Sequence, residues 1–257
     1  MKASIVIANY NNAKFINECI KSLNNQTYKN FEIIIFDDNS KDNSIEEMEK
    51  FKNIKIIKNK IQTKYGSLNQ MNAFYKAIEI SEGEIIFFLD SDDFFNEKKI
   101  EEVINVFLSN ENKDIVFDYP ILTYENNKQE KVLPKKTINK YWGYIHPTSC
   151  ITARKKFILD NYNKFSESIY TDIWIDFRIL VYSKFVFNNY IILDKNLTYY
   201  RQSEVNISSK FKKYSKNWWV RRNAALNFLF DVAKKENIKI KKNLDYFLTK
   251  FFTMFFK

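Results

Sequence analysis

Acidic residues follow two apolar segments of this sequence. Residues 37–40 (DDNS) directly follow Phe31–Phe36 (FEIIIF), and residues 90–93 (DSDD) directly follow Ile85–Leu89 (IIFFL). Three carboxylates within four residues repel one another unless a cation or hydrogen-bond donors compensate their charge. Because the chain has one His and two separated Cys, hard oxygen ligands favour Mg²⁺ or Mn²⁺ over zinc as that cation. The alternative is that one of these Asp residues caps a following helix and the others are solvated.

The scarcity of glycine limits how the protein could hold a phosphate group. The 257 residues include only three Gly, at Gly66, Gly83 and Gly143, which lie too far apart for a Walker loop or a Rossmann fingerprint. Both motifs need clustered Gly, because the backbone must approach the phosphate without an intervening side chain. A metal or polar side chains would therefore hold any phosphate ligand.

The elements that position the acidic segments alternate between strands and helices over residues 1–120. Short β-branched runs predict strands, and the stretches between them have helical spacing, which is typical of βα units and a largely parallel sheet. In such sheets ligands bind beyond the carboxyl ends of the strands, where both acidic segments lie. The predicted strands are Ala3–Ala8, Phe31–Phe36, Ile54–Lys58, Glu84–Leu89 and Asp114–Asp118, and the predicted helices are Phe15–Leu23, Asp42–Phe51, Ser67–Ser81 and Ile100–Leu108.

The rest of the chain is less regular. We expect one α/β domain over residues 1–205, with halves at 1–120 and 121–205, and a basic, aromatic helical extension over 206–257 that packs on the domain or reaches away from it. The later predictions are a polar loop or hairpin at Tyr124–Lys131, irregular sequence to Pro147, a helix at Ile173–Tyr182, β-rich sequence at Phe185–Tyr200, and helices at Trp218–Ala233 and Leu244–Phe256.

The formal charge of +10 is concentrated in residues 210–257, which carry 13 Lys or Arg and three Asp or Glu, while the other 209 residues are neutral. A coding bias toward Lys and a functional basic face are alternative explanations. Bases and aromatics together would suit an anionic membrane surface. For the aromatics we favour the simpler interpretation, an ordinary helical pair whose aromatic stripes are core. The final FFTMFFK also fits a contact between copies in a homo-oligomer, or a longer chain.

Cysteine usage and hydropathy indicate the compartment. Cys19 and Cys150 are too few for a disulfide framework, they form no CxxC pair, and the N-terminus lacks a secretory signal. No apolar run approaches the ~20 residues that span a bilayer. We expect reduced thiols and a cytoplasmic protein that meets a membrane only at its surface.

Three blocks resemble, in order, the N-terminal signatures of family 2 glycosyltransferases with the GT-A fold: SIVIANYNN, QTYKNFEIIIFDDNSKDNS and GEIIFFLDSDDFF. The resemblance is dense over residues 3–108 and weaker to about residue 205. It implies an α/β fold of GT-A type, with a mostly parallel central sheet flanked by helices. It also implies a nucleotide-binding half over residues 1–120 and an acceptor half over residues 121–205.

The resemblance implies roles for residues that would bind the nucleotide base. Tyr10, which follows Ala8 at the end of the first strand, would pack against uracil. Asp38 would accept a hydrogen bond from the imide of the uracil ring. An Asx turn with Ser40 is the alternative role of Asp38.

The resemblance also implies how the diphosphate is held. Asp90, followed by Ser91, would contact the ribose and the metal shell, and Asp92 would bind the Mn²⁺ or Mg²⁺ that bridges both phosphates. This metal would neutralise charge on the leaving group. The family often places an Arg between the second and fourth strands, where Lys64 is the nearest cation here. A solvated surface Lys is its alternative.

The block YTDIWIDFR at residues 170–178 resembles the Glu-Asp element of the family. Thr171 replaces the Glu, and Asp172 would be the catalytic base, near a helix N-terminus that favours its ionised form. Helix capping is the alternative for Asp172, and Asp176 is a weaker candidate base. Trp174, in the same block, would line the acceptor site.

The block YYRQS at residues 199–203 resembles a family element that commonly reads Tyr-Arg-x-His. Ser203 replaces the His, so the metal would use water and phosphate oxygens in place of a third protein ligand. Arg201 would pair with the diphosphate. His146 would line the acceptor pocket, and a structural role is its alternative.

Together these features predict an inverting, metal-dependent hexosyl- or N-acetylhexosaminyltransferase. It would move a sugar from a nucleotide sugar, most simply a UDP-sugar, to a glycan or lipid-linked acceptor in surface polysaccharide or lipooligosaccharide synthesis, at the inner face of the cytoplasmic membrane. A nucleotidyltransferase is the enzymatic alternative, but it usually needs a Gly-rich loop after the first strand. Nucleic-acid binding is the other alternative, which the neutral body and its acidic cluster disfavour.

Overall fold

Nine strands form one sheet in the computed structural model, which describes residues 1–133, 141, 143–167, 169–202 and 212–256. The strand order across the sheet is β3-β2-β1-β4-β8-β6-β9-β5, and β7 pairs with β6 at the side. In chain order the strands are β1 Ala3–Asn9, β2 Phe31–Asp37, β3 Ile54–Lys58, β4 Ile85–Asp90, β5 Phe94–Phe95, β6 Ile115–Tyr124, β7 Gln129–Lys131, β8 Ile151–Arg154 and β9 Tyr190–Gln202.

Helices flank this sheet and follow it in the chain. A 3₁₀ turn at Thr148–Cys150 leads into β8, and a π-helical segment at Tyr182–Phe187 follows α6 directly. Within the described ranges the α-helices are α1 Ala13–Asn24, α2 Ser44–Glu49, α3 Gly66–Glu79, α4 Lys99–Ser109, α5 Lys155–Phe165, α6 Ile175–Val181, α7 Lys216–Lys235 and α8 Leu244–Met254.

The first four strands are parallel, as the sequence predicted. The register places Asn9 of β1 opposite Asp37 of β2, and Ala8 opposite Asp90 of β4, so the carboxyl ends of these strands meet at one edge. The second half is mixed: β8 is antiparallel to β4 and β6, β9 is parallel to β6, and β5 is antiparallel to β9. The predicted hairpin at Tyr124–Lys131 is formed by β6 and β7.

Two apolar layers cover the two faces of the sheet. Because side chains alternate along a strand, Ile5 and Ile7 of β1 pack in the layer that contains α1 and α4, while Val6 packs in the opposite layer. That opposite layer includes Leu226 and Phe228 of α7. The helical extension is therefore packed on the α/β domain rather than directed away from it. The expected boundary at residues 205/206 lies outside the described residues.

The state of the two cysteines and the length of the apolar helices were also expected from the sequence. Cys19 and Cys150 are both buried free thiols. A search of the described helices finds none that has the length and apolar character needed to traverse a bilayer.

Candidate active site

A cavity of about 850 Å³ opens at the edge of the sheet where β1, β2 and β4 end. Nine candidate site residues from the sequence line it together, although they come from distant parts of the chain. They are Ala8, Tyr10, Asp38, Lys64, Asp90, Ser91, Asp92, Trp174 and Asp176. Asp172, Arg201 and His146 are not among its lining residues.

The two Asp residues that end β2 have different hydrogen-bond partners. Asp37 accepts hydrogen bonds from the Asn9 amide at 2.7 Å and from the Ser40 hydroxyl at 2.6 Å and backbone N–H at 3.0 Å. Asp38 accepts from the side-chain amides of Asn59 at 2.6 Å and Gln62 at 2.9 Å. Ser40 is therefore bonded to Asp37 rather than to Asp38, and Asp38 is held at the cavity by two amides.

Asp90 and Asp92 stand at the end of β4 and line the cavity. Asp90 accepts a hydrogen bond from the Gln70 amide at 2.8 Å. Burial raises the pKa of Asp90 to about 8, and the negative charges of Asp92 and Asp176 add to that rise. Burial also raises the pKa of Asp92. A bound cation would relieve both effects, because it favours the ionised carboxylates.

These carboxylates fit a hard divalent cation. The carboxylate of Asp92 has a hydrogen bond with its own backbone, and the positive charge of Arg201 favours its ionised form. No cluster of three or more His, Cys, Asp or Glu side chains suited to a metal occurs in the described part of the chain. Mg²⁺ commonly takes one or two protein carboxylates together with water and substrate phosphates, which matches a pair of ligands. Ser203, which replaces the family's His, lies outside the described residues.

Asp93, the last residue of the DSDD segment, faces the protein interior and is 1% exposed. It accepts hydrogen bonds from the Ser149 hydroxyl at 2.5 Å and the Arg201 backbone N–H at 2.9 Å. The same Ser149 hydroxyl accepts from the backbone N–H of Asp90 at 3.0 Å. Asp93 and Ser149 therefore fix the loop that carries the two cavity carboxylates.

Arg201 supports this loop instead of lining the cavity. Its guanidinium lies 4.5 Å from the Phe15 ring centre and 5.6 Å from that of Phe94, and it pairs with Glu18. Its Nε donates to the backbone carbonyl of Asp92 at 2.8 Å. The described contacts of Arg201 are therefore with this loop, two aromatic rings and Glu18, and its expected contact with the diphosphate stays a prediction.

The YTDIWIDFR block forms a turn and then α6, which begins at Ile175 after the N-cap residue Trp174. Asp172 is exposed and precedes the helix, whereas Asp176 lies in its first turn and lines the cavity. Asp176 accepts a hydrogen bond from the backbone N–H of Phe177 at 2.7 Å. Burial raises the pKa of Asp176, and the nearby Arg221 opposes that rise. The cavity therefore contains Asp176 in the place where the sequence favoured Asp172.

His146 is buried and has a structural environment. Its Nδ1 is 2.7 Å from the backbone carbonyl oxygen of Asp118, and its ring centre lies 5.0 Å from those of Tyr119 and Tyr144. Burial lowers the pKa of His146 to about 4. These contacts favour the structural role that the sequence offered as the alternative, and the acceptor contact of His146 stays a prediction.

Gln70 and Arg221 also line the cavity, although neither was expected there from the sequence. The sequence contains a signal for both, because each is a polar residue that lies on the apolar face of a helix. Gln70 precedes buried Phe74 by four residues, and Arg221 precedes buried Ala225 by four residues.

Comparisons with known proteins agree with this architecture. Residues 4–164 match the model of the family described as glycosyl transferase family 2. An uncharacterized glycosyltransferase of Rickettsia conorii is 27% identical over 96% of this chain, which spans only 41% of that relative. The Escherichia coli enzyme UDP-Glc:alpha-D-GlcNAc-diphosphoundecaprenol beta-1,3-glucosyltransferase WfgD is 30% identical over 84% of this chain and 83% of its own length.

Among solved structures, Staphylococcus aureus TarS 1-349 in complex with UDP-GlcNAc has a TM-score of 0.64 at 19% identity, over 89% of this chain and 66% of that one. At this identity the likeness is one of fold. It confirms the α/β architecture of GT-A type, with C-terminal helices, that the sequence predicted.

Proposed function

The chain belongs to glycosyl transferase family 2, and from that membership we propose that it transfers a sugar from a UDP-sugar to a hydroxyl group of a glycan or lipid-linked acceptor, with inversion. One observation carries the proposal. A single cavity brings a base-stacking aromatic, Tyr10, and a hydrogen-bond acceptor, Asp38, together with the paired carboxylates of Asp90 and Asp92. Its volume of about 850 Å³ lies in the range of cofactor-sized ligand sites.

Tyr10 and Asp38 would recognise the uracil base. Tyr10 stands at the end of β1 with 49% of its surface exposed, so its ring face is open to stacking. The amides of Asn59 and Gln62 orient the Asp38 carboxylate, which would then accept the imide N–H of uracil. Cytosine has no such N–H, so this contact would select between the two pyrimidines.

Asp90 and Asp92 would hold Mn²⁺ or Mg²⁺. When bound, such a cation stabilises the charge that develops on the diphosphate leaving group. The chain positions its own ligands beforehand, because Gln70 orients Asp90 and Arg201 fixes the backbone at Asp92. Lys64 also lines the cavity, where its positive charge would attract the diphosphate.

Asp176 would act as the base for the acceptor hydroxyl, in place of Asp172. Its raised pKa brings it nearer to neutral pH, where a general base transfers protons most effectively. Arg221 opposes the rise and so favours the ionised carboxylate that accepts a proton. Trp174, the N-cap residue of α6, would present an apolar ring to the acceptor sugar.

The acceptor proposal relies on the relative from Escherichia coli. Its name specifies UDP-glucose as donor and a GlcNAc-diphosphoundecaprenol acceptor. We propose a lipid-linked acceptor of the same general kind for this chain, in surface polysaccharide synthesis, with a hexose or an N-acetylhexosamine as the transferred sugar.

A donor screen that measures UDP release, with Mn²⁺ and with or without lipid-linked acceptors, tests the function. Asp176→Asn should lower kcat by about 10²–10⁴-fold, and Asp172→Asn, three residues before the helix, is the matched control and should change it by less than about threefold. The reverse result would restore Asp172 as the base.

Donor binding is tested separately by calorimetry with Mn²⁺. UDP should bind more tightly than CDP or GDP, and Asp92→Asn should abolish the metal-dependent part of that binding. Equal affinity for all three nucleotides would contradict the uracil assignment. Release of pyrophosphate from UTP, without UDP release from any UDP-sugar, would instead support a nucleotidyltransferase.

A further inference from the structure

Helix α8 has two apolar faces, of which only one packs against the protein. On the packed face, Phe252 stacks on Trp219 of α7 with ring centres 4.5 Å apart, and Tyr246 meets Phe230 edge-on at 5.0 Å. The other face, which we call the outer face of α8, consists of side chains that are 42 to 69% exposed. They are Leu244, Phe247, Leu248, Phe251, Met254 and Phe255.

The outer face reverses the usual arrangement of a helix on a protein surface. Its six residues recur at intervals of three and four, so they form one continuous stripe without a charged member. A surface helix normally directs polar residues outward, and a contiguous exposed apolar patch marks an interaction site. The sequence expectation that the aromatic stripes are core is correct for Phe228 of α7 and wrong for the outer face of α8.

Exposed basic residues precede α8 in the chain. Lys239, Lys241 and Lys242 immediately precede α8, and the segment 210–257 carries a net charge of +10. A symmetric contact between two copies would place the same face, and therefore two such basic segments, against each other. An anionic bilayer provides both an apolar phase for the aromatic side chains and negative charge for the lysines.

We propose that the outer face of α8 inserts into the interfacial region of an anionic lipid bilayer. The packing of α8 on α7 links this surface to the cavity, because Trp219 contacts Phe252 and Arg221, two residues further along α7, lines the cavity. Binding to lipid does not depend on the proposed sugar transfer, so each can fail without the other.

Vesicle co-sedimentation tests this inference without any sugar substrate. The wild-type chain should bind vesicles of phosphatidylcholine with phosphatidylglycerol at least tenfold more tightly than vesicles of phosphatidylcholine alone. The double variant Phe247→Glu/Phe251→Glu should lower binding to the anionic vesicles by at least tenfold, since it removes two apolar side chains from the interface. Lys241→Gln/Lys242→Gln should lower it by about 25-fold, at about fivefold for each lysine.

The matched control is Leu108→Glu, which changes a residue of α4 that is 54% exposed and should leave vesicle binding unchanged. Circular dichroism should show the same melting temperature for all variants within a few degrees, because the substituted side chains are exposed. Equal binding of wild type and Phe247→Glu/Phe251→Glu, or no preference for anionic vesicles, would overturn the proposal. So would a dimer in light scattering that this double variant dissociates, with no binding to vesicles.

Discussion

Lys99 is buried beneath the acidic loop, and its replacement should destabilise the protein strongly. Its side chain is fully buried, and its ammonium group donates to Asp118 at 2.8 Å, to the Ser149 carbonyl at 2.6 Å and to the Thr198 hydroxyl at 2.5 Å. Lys99→Met keeps most of the volume but leaves the Asp118 carboxylate with only the Thr198 hydroxyl, at 2.7 Å, as a side-chain donor. Removing one partner of a buried ion pair costs about 3–5 kcal/mol, and we expect that loss in the free energy of unfolding at pH 7.5.

The loss should depend on pH in a defined direction. Burial already raises the pKa of Asp118, and the charge of Lys99 opposes that rise. Without Lys99 the folded-state pKa rises further above the unfolded value of about 3.9, so the folded variant binds more protons than its unfolded chain over the interval between them. Stability of the variant therefore falls as pH rises through that interval, and the difference from wild type should shrink as the pH is lowered from 7.5 to 5.

Urea unfolding followed by tryptophan fluorescence measures these differences. The double variant Lys99→Met/Asp118→Asn should recover at least about 2 kcal/mol relative to Lys99→Met, because no unpaired charge remains. Lys98→Met, at the exposed neighbouring position, is the matched control and should change stability by less than about 0.5 kcal/mol. A loss below about 1 kcal/mol for Lys99→Met, an equal loss at both pH values, or no recovery in the double variant would refute the reasoning.

Two further predictions concern stability. Gly83→Ala should destabilise the protein by about 1–3 kcal/mol in urea unfolding, since its Cβ would lie 2.5 Å from backbone atoms of Ala3 and Ser4; an unchanged midpoint would contradict this. Burial lowers the pKa of His146 to about 4 in the folded protein, against about 6.5 in the unfolded chain. Between these pH values the unfolded state binds more protons than the folded state. The free energy of unfolding should therefore fall by about 3 kcal/mol as the pH is lowered from 6.5 to 4. His146→Gln should remove that part of the pH dependence of unfolding, and an identical pH profile for the variant would show that His146 does not cause it.

The parallel half of the fold follows closely from the sequence. β3 is observed at the predicted residues Ile54–Lys58, and β1 and β2 each extend one residue beyond their predicted ends. These strands are continuous apolar runs separated by helical spacing, a pattern that few other structures share. Local sequence and tertiary packing favour the same structure there.

The mixed half of the sheet was harder to predict, for physical reasons. β8 has only four residues, Ile151–Arg154, and owes its place to pairing with β4 and β6. The predicted strand at Asp114–Asp118 extends to Tyr124 as β6, although Pro120 is disfavoured within strands. The register shifts beside Pro120 accommodate it, and they depend on the partner strand β9 rather than on the local sequence.

Within the site, sequence predicted which residues end strands better than where side chains point. Asp90 and Asp92 end a strand, so their place at the sheet edge follows from topology. Asp172 and Asp176 are four residues apart in the sequence, and choosing between them requires knowing that α6 starts at Ile175. Arg221 approaches the cavity from α7, which the sequence separates from β4 by more than a hundred residues.

The three carboxylates of the DSDD segment have different surroundings: Asp93 is buried in the protein, whereas Asp90 and Asp92 line the cavity. The sequence suggested that three neighbouring carboxylates need a cation to compensate them. Asp93 instead receives two hydrogen bonds inside the protein, from Ser149 and from the backbone of Arg201, and Ser149 also accepts the backbone N–H of Asp90. One carboxylate is thus satisfied by the fold and holds the loop, which leaves Asp90 and Asp92 for the cavity. Mg²⁺ is commonly bound by one or two protein carboxylates together with water and substrate phosphates, so the two carboxylates that remain agree with the metal site that we propose.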